Sequence, residues 1–157
     1  MANMNLVTGH GGTEHVTAAD AGMLNAGIFG GGQHVMGVGN KFAATLVSNN
    51  KITISDGVLL MQGRLARINA GSSVDVTIEN GATGYYRNDL IVARYTKDAQ
   101  GVETMNLVVI KGTPSTTKAA DPTYTSGDLL TGNASQNDFP LYRIVLNGIT
   151  VQTPDPL

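Results

Sequence analysis

Three histidines are the first residues to question for chemistry: His10, His15 and His34. His10 and His15 stand five apart, with Glu14 beside the second. Imidazole and carboxylate are metal-ligand types, but a metal centre needs three or four ligands in fixed geometry. The surrounding Thr8-Gly9-His10-Gly11-Gly12-Thr13 does not nucleate regular structure. His10 and His15 are therefore weak metal candidates, complete only if a trimer gathers three copies on its axis. The chain has no cysteine, which removes thiolate sites and disulfides. Gly27-x-x-Gly30-Gly31-Gly32 lacks the Lys-Ser/Thr ending of a phosphate loop. A dinucleotide fingerprint would follow a strand, whereas a helix-like segment comes first here, so these glycines read as a hinge between an arm and a core. There is no Gly-x-Ser-x-Gly elbow, and the carboxylates are scattered. Asp56 and Asp98 fall at turns, and Asp75 and Glu79 on the wet face of a strand. These patterns predict no catalytic residue and no cofactor.

Binding chemistry has better candidates. A sugar ring stacks on a flat apolar face, and the chain offers five tyrosines, three phenylalanines and no tryptophan. Tyr124 and Asp128 lie in a long polar segment, Gly112–Asn137, of the kind that often carries contacts. They are the candidate ligand contacts. Tyr85-Tyr86 reads instead as a strand entry with one ring in and one out. Arg64, Arg67, Arg87, Arg94 and Arg143 sit in or beside strands. They suit partner interfaces, where the planar guanidinium pairs with carboxylates or carbonyls, and equally suit solvated strand faces.

These side chains are to be held mainly by strands. Thr17 and Asp20 form a helix start with cap and acidic third position, so one short helix over about 18–29 is expected, or an irregular loop. Its Met23, Leu24, Gly27 and Ile28 fall on one face, and Gly30-Gly31-Gly32 ends it. From Gln33 the period becomes two. Val35 to Gly37 and Phe42–Val47 read as strand. Lys51–Ser55 alternates cleanly, Asp56-Gly57 supplies a hairpin turn, and Val58–Met61 follows as a short strand. Arg64–Ile68 and the alternation Val74, Val76, Ile78 continue the pattern. Tyr85–Thr96 is the longest strand candidate, and Leu90-Ile91-Val92-Ala93 at its centre predicts cover on both faces. With Glu103–Lys111 it makes a hairpin expected in the middle of the sheet. Phe139–Ile149 is a last strand, and Pro154-Asp155-Pro156 is expected to stop further pairing. About seven to nine short strands predict a mainly β, antiparallel sandwich or barrel-like domain. The predicted layout is an N-terminal arm over 1–32, a β domain over 33–151 and a tail over 152–157.

Composition agrees. Charged residues make up 14 % of 157, well below the usual ~25 %, and the 20 glycines are roughly twice the common share. Such a chain suits turn-rich sheets and surfaces covered by neighbouring subunits, or an ordinary secreted β domain. A net charge of −2 without a basic run argues against nucleic acid. No apolar run reaches membrane-spanning length, so no membrane insertion is expected. The N-terminus lacks a secretory pattern, which predicts synthesis in the cytoplasm.

Several stretches together resemble a family of small tail-tip or baseplate proteins of bacteriophages and prophages of Gram-positive bacteria. They are Asn5-Leu6-Val7-Thr8-Gly9, His15-Val16-Thr17-Ala18-Ala19-Asp20, Val38-Gly39-Asn40-Lys41-Phe42-Ala43 and Gly57-Val58-Leu59-Leu60-Met61-Gln62-Gly63-Arg64. Arg87 to Tyr95, Val109-Ile110-Lys111-Gly112-Thr113-Pro114 and Pro140-Leu141-Tyr142-Arg143 complete the likeness, which spans nearly the whole chain. The resemblance implies a structural role in the virion tail, near its host-facing end, with no cofactor and no catalytic residue. The expected partners are copies of the chain, as a homo-oligomer with a trimer favoured, and other tail or baseplate proteins. Leu6, Val7 and Val16 have little to pack on locally and are the expected assembly arm. The alternative is a receptor-binding module for host cell-wall carbohydrate through the Gly112–Asn137 loop. A cell-wall hydrolase ranks last, because no acid–base pair is legible.

Overall fold

The alternation of Ile52 and Ile54 with Thr53 and Ser55 opens the longest hairpin of the molecule. Its structure comes from a computed structural model, which describes residues 7–8, 16–131 and 133–157. Strand β3, Lys51–Met61, and strand β4, Arg64–Thr77, pair antiparallel across a two-residue turn, Gln62-Gly63. Both turn residues have positive φ, 48° and 81°, the backbone that matches the right-handed twist of hairpin strands. The expected hairpin turn at Asp56-Gly57 is corrected: these residues lie inside β3, and Val58–Met61 is the same strand. Asp-Gly makes a bulge here, because the register with β4 shifts between Ser55 and Gly57. A Cβ on Gly57 would stand 2.6 Å from the backbone N of Phe42, so glycine is what lets the Phe42 segment close over the strand. Opposite the bulge, Asn69, Ala70, Gly71 and Ser72 of β4 face Asp56 alone. Strand β1, Gln33–Val35, and strand β2, Ala44–Ser48, share the other edge of β3.

The second sheet holds β5 (Tyr86–Lys97), β6 (Glu103–Ile110), β7 (Gln136–Asn147) and β8 (Thr150–Val151) in the order β6-β5-β7-β8. The β5–β6 hairpin forms as expected, but of its two strands only β5 is interior, next to β7, and β6 lies at the edge. Leu90, Ile91, Val92 and Ala93 are all buried, as the continuous apolar run requires. The longest strand is β4, not β5, because Arg64–Ile68 and Val74–Thr77 are one strand. Pro140 sits where the β5–β7 register shifts, a position that needs no ladder N–H. The tail is corrected too: β9, Asp155–Pro156, pairs with β7 opposite Arg143 and Tyr142. Proline is tolerated there because β9 is an edge.

The fold is thus mainly β, with antiparallel sheets, one of them curled into a half-barrel, and one short helix near the N-terminus. Ile52, Ile54, Leu59 and Met61 from one sheet meet Ile91, Ala93, Leu141, Ile144 and Leu146 from the other. Helix α1 spans Ala18–Phe29 and starts with a capping box: Asp20 N donates to Thr17 Oγ1 at 3.2 Å, and Thr17 N to Asp20 Oδ2 at 2.9 Å. Gly30, with φ of 87°, closes it.

Candidate functional site

Tyr124 stands beside an open groove of about 490 Å³, with its ring half exposed. Phe139 and Pro140 from β7, Gln33 from β1, Gln62 from the β3–β4 turn, the Gly31-Gly32 backbone and Leu157 line the rest. The groove therefore collects residues from both sheets and from the long loop. No Asp, Glu, Lys or Arg side chain is among its described lining residues.

The loop that carries Tyr124 is pinned. Thr125 and Asp138 bond twice: Thr125 N donates to Asp138 Oδ2 at 3.0 Å, and Asp138 N to Thr125 O at 2.9 Å. Gly127 N donates to Asn137 Oδ1 at 2.8 Å. Gln62 then staples the loop with both ends of its amide, giving Nε2–H to Gly127 O at 2.7 Å and accepting Leu129 N–H on Oε1 at 2.8 Å. Leu129 itself is buried in the core. A non-glycine residue with positive φ costs on the order of 1 kcal/mol. Gln62 holds that backbone where its side chain ties the loop down. Asn137 Nδ2 donates to Gln33 Oε1 at 3.0 Å, which orients the Gln33 amide with its oxygen inward.

The arginines take a third role beside the two expected. Arg87 and Asp89 form a buried two-point pair, each bond 2.8 Å, and Arg87 also donates to the carbonyls of Glu79 and Asn80. Arg94 pairs with Asp138 directly across from it, and Arg143 bridges Asp121 and Asp155. Arg64 reaches Glu103, which also accepts from the Tyr95 hydroxyl at 2.6 Å. Burial works against the charge on Asp138, but the Arg94 bonds and the Thr125 N–H outweigh it and hold the carboxyl below its usual range. Burial, then the bond to Glu103, pushes Tyr95 up to about 12. Arg67 is exposed.

Helix α1 turns Gly22 inward. Gly22 is buried, Gly63 approaches it so closely that a Cβ there would lie 2.0 Å from Gly22 O, and Asn25 Nδ2 donates to Gly63 O at 2.9 Å. Met23, Leu24 and Ile28 face outward, the last two more than 60 % exposed, and Phe29 is half exposed beyond them.

The expected site residues separate. Tyr124 lines the groove. Asp128 does not; its Oδ1 accepts from Leu130 N at 2.9 Å and shapes a local turn. Val7 is half-buried and Val16 exposed, while Leu6, His10 and His15 lie outside the described residues. Among the described residues, no group of three His, Cys, Asp or Glu could hold a metal ion. Asp56 is buried and accepts from Asn40, so it is no turn residue, and both Tyr85 and Tyr86 are exposed. Asp98 does cap its turn, and Asp75 and Glu79 are exposed, paired with Lys51 and Lys111. Sequence reading missed Gln33 and Gln62, since amide side chains carry no motif. The sequence matches no known protein-family model, and no curated protein is detectably similar to it.

Proposed function

We propose that the chain is a structural subunit of a phage or prophage tail tip or baseplate, working as a homo-oligomer, with three copies favoured. One observation carries the assembly part of this reading: the large apolar side chains of α1 face away from their own body. An amphipathic helix normally buries such a face. Here Gly22 and Asn25 do the docking, against Gly63, and Met23, Leu24 and Ile28 are left for a neighbour. Large apolar side chains exposed together on one helix mark an interaction surface. Its single charge, Asp20, is held in the capping box, so the face is neutral and suits another copy of itself. Val7 and Val16 precede the same helix and extend the contact, with Leu6 as the arm's further anchor. The virion setting rests on the sequence resemblance, and catalysis has no part in it.

Light scattering on the eluting full chain tests assembly. A mass above the 16.3 kDa of one copy at tens of micromolar is expected, and Leu24→Asp with Ile28→Asp is expected to return it to one copy without unfolding. A clean monomer from the unaltered chain overturns the reading. Cross-linking of intact particles with mass spectrometry tests the setting, and neighbours drawn from outside the tail overturn it.

A further inference from the structure

We propose that the Tyr124 groove binds an uncharged saccharide. This deepens the receptor-binding alternative and does not rest on self-association, because the groove is built within one chain.

Three observations point to that ligand class. First, Tyr124 leaves half of its surface open at the groove, with Phe139 and Pro140 extending the apolar floor. An aromatic face with a polar tip is suited to the C–H face of a pyranose ring, while hydroxyls turn outward to polar partners. Second, the polar partners are amides. The Gln33 oxygen is committed to Asn137, so the groove is offered an N–H donor and the backbone of Gly31-Gly32 rather than a charged side chain. The nearby carboxylate of Asp138 is already paired with Arg94 and turned to Thr125. A phosphate-bearing polymer would find no cationic side chain among the described lining residues. Third, the site is preformed. The Thr125–Asp138, Gly127–Asn137 and Gln62 bonds fix the loop before any ligand arrives, which lowers the ordering cost of binding. The left-handed backbone of Gln62 has its use here, as the staple that holds the loop carrying the stacking ring.

The groove takes a sugar unit or two of a longer chain, since it is open rather than enclosed. Affinity for one site is then weak, and several copies in an assembly would multiply it.

The test uses the full chain and saturation-transfer NMR against a panel of neutral oligosaccharides of hexoses, 6-deoxyhexoses and N-acetylhexosamines. Glycerol-phosphate oligomers and a proline-rich peptide are the contrasting probes. At least one neutral oligosaccharide is expected to bind in the millimolar range or tighter, with contact at its C–H face. Tyr124→Ala is expected to weaken that binding at least tenfold and Tyr124→Phe by less than threefold. Gln33→Ala should weaken it severalfold, and Asp128→Ala should leave it unchanged. Gln62→Gly relieves the backbone yet removes the staple, so binding should fall while the β core stays folded by its amide spectrum. Three results overturn the proposal: no neutral saccharide binds at ten millimolar, binding survives Tyr124→Ala, or only the phosphate oligomer or the peptide binds. A monomeric chain that still binds sugar would separate this result from failure of the assembly reading.

Discussion

Arg87 and Asp89 show what a buried charge pair demands. Both are nearly inaccessible, and Asp89 also accepts the Gly112 N–H at 2.9 Å. Removing one partner strands the other without water. Asp89→Ala is therefore expected to destabilise the chain by about 3–5 kcal/mol, read from urea denaturation. The double change Arg87→Met with Asp89→Leu should cost less than Asp89→Ala alone, since neither charge is left buried. This pair was half legible in the sequence: residues two apart on a strand share a face. Arg94 and Asp138 were not, because their contact depends on which strands pair and in what register. Gln62 was invisible for another reason, as glutamine is no turn-former and its role lies in what its amide reaches. Tyr124 could be singled out because an aromatic ring in a polar loop has little to pack on locally.

At the scale of elements, the docking of α1 depends on two glycines. Gly63→Ala places a Cβ against the Gly22 carbonyl and forces a side chain onto a φ of 81°. The expected outcome is release of α1 from β4, with faster amide exchange over residues 18–29 and unchanged protection in β3 and β5. The loss should be roughly 1–3 kcal/mol, the range of a strained backbone position with a local clash. Unchanged exchange over α1 would mean that the close approach does not hold the helix. The capping residues announced the helix and its start. Its orientation was not announced, because the moment of an isolated helix says which side is apolar and not which side touches the body. The Asp56-Gly57 bulge shows the same limit: the dipeptide signals positive-φ or tight backbone, and only the Phe42 packing decides between turn and bulge.

Across the whole molecule, the ion pairs set the pH range of stability. Arg143, against a smaller burial effect, holds Asp121 below its ordinary 3.8. At Asp138 and Glu103 burial opposes the charge, but hydrogen bonds from Arg94 and Thr125, and from Tyr95 and Arg64, outweigh it. A carboxyl with a lowered folded value contributes its full share above the unfolded value and loses it as pH falls toward the folded one. Urea midpoints are therefore expected to hold from neutrality to about pH 4.5 and then to drop through the carboxylate range. Tyr95 sets the alkaline limit with the opposite sign: raised from 10.0 to about 12, it contributes below its unfolded value and is lost as pH rises between the two. A midpoint that falls steadily from pH 7 to 5 would contradict the acid half. The interruption of β4 has a different consequence. An unbroken outer edge of this length would template strand-to-strand growth into fibrils whenever the chain is crowded. Asn69 to Ser72, looped out opposite a single residue of β3, break that edge at its middle. Along β4, neighbouring copies therefore lack a continuous ladder to polymerise on.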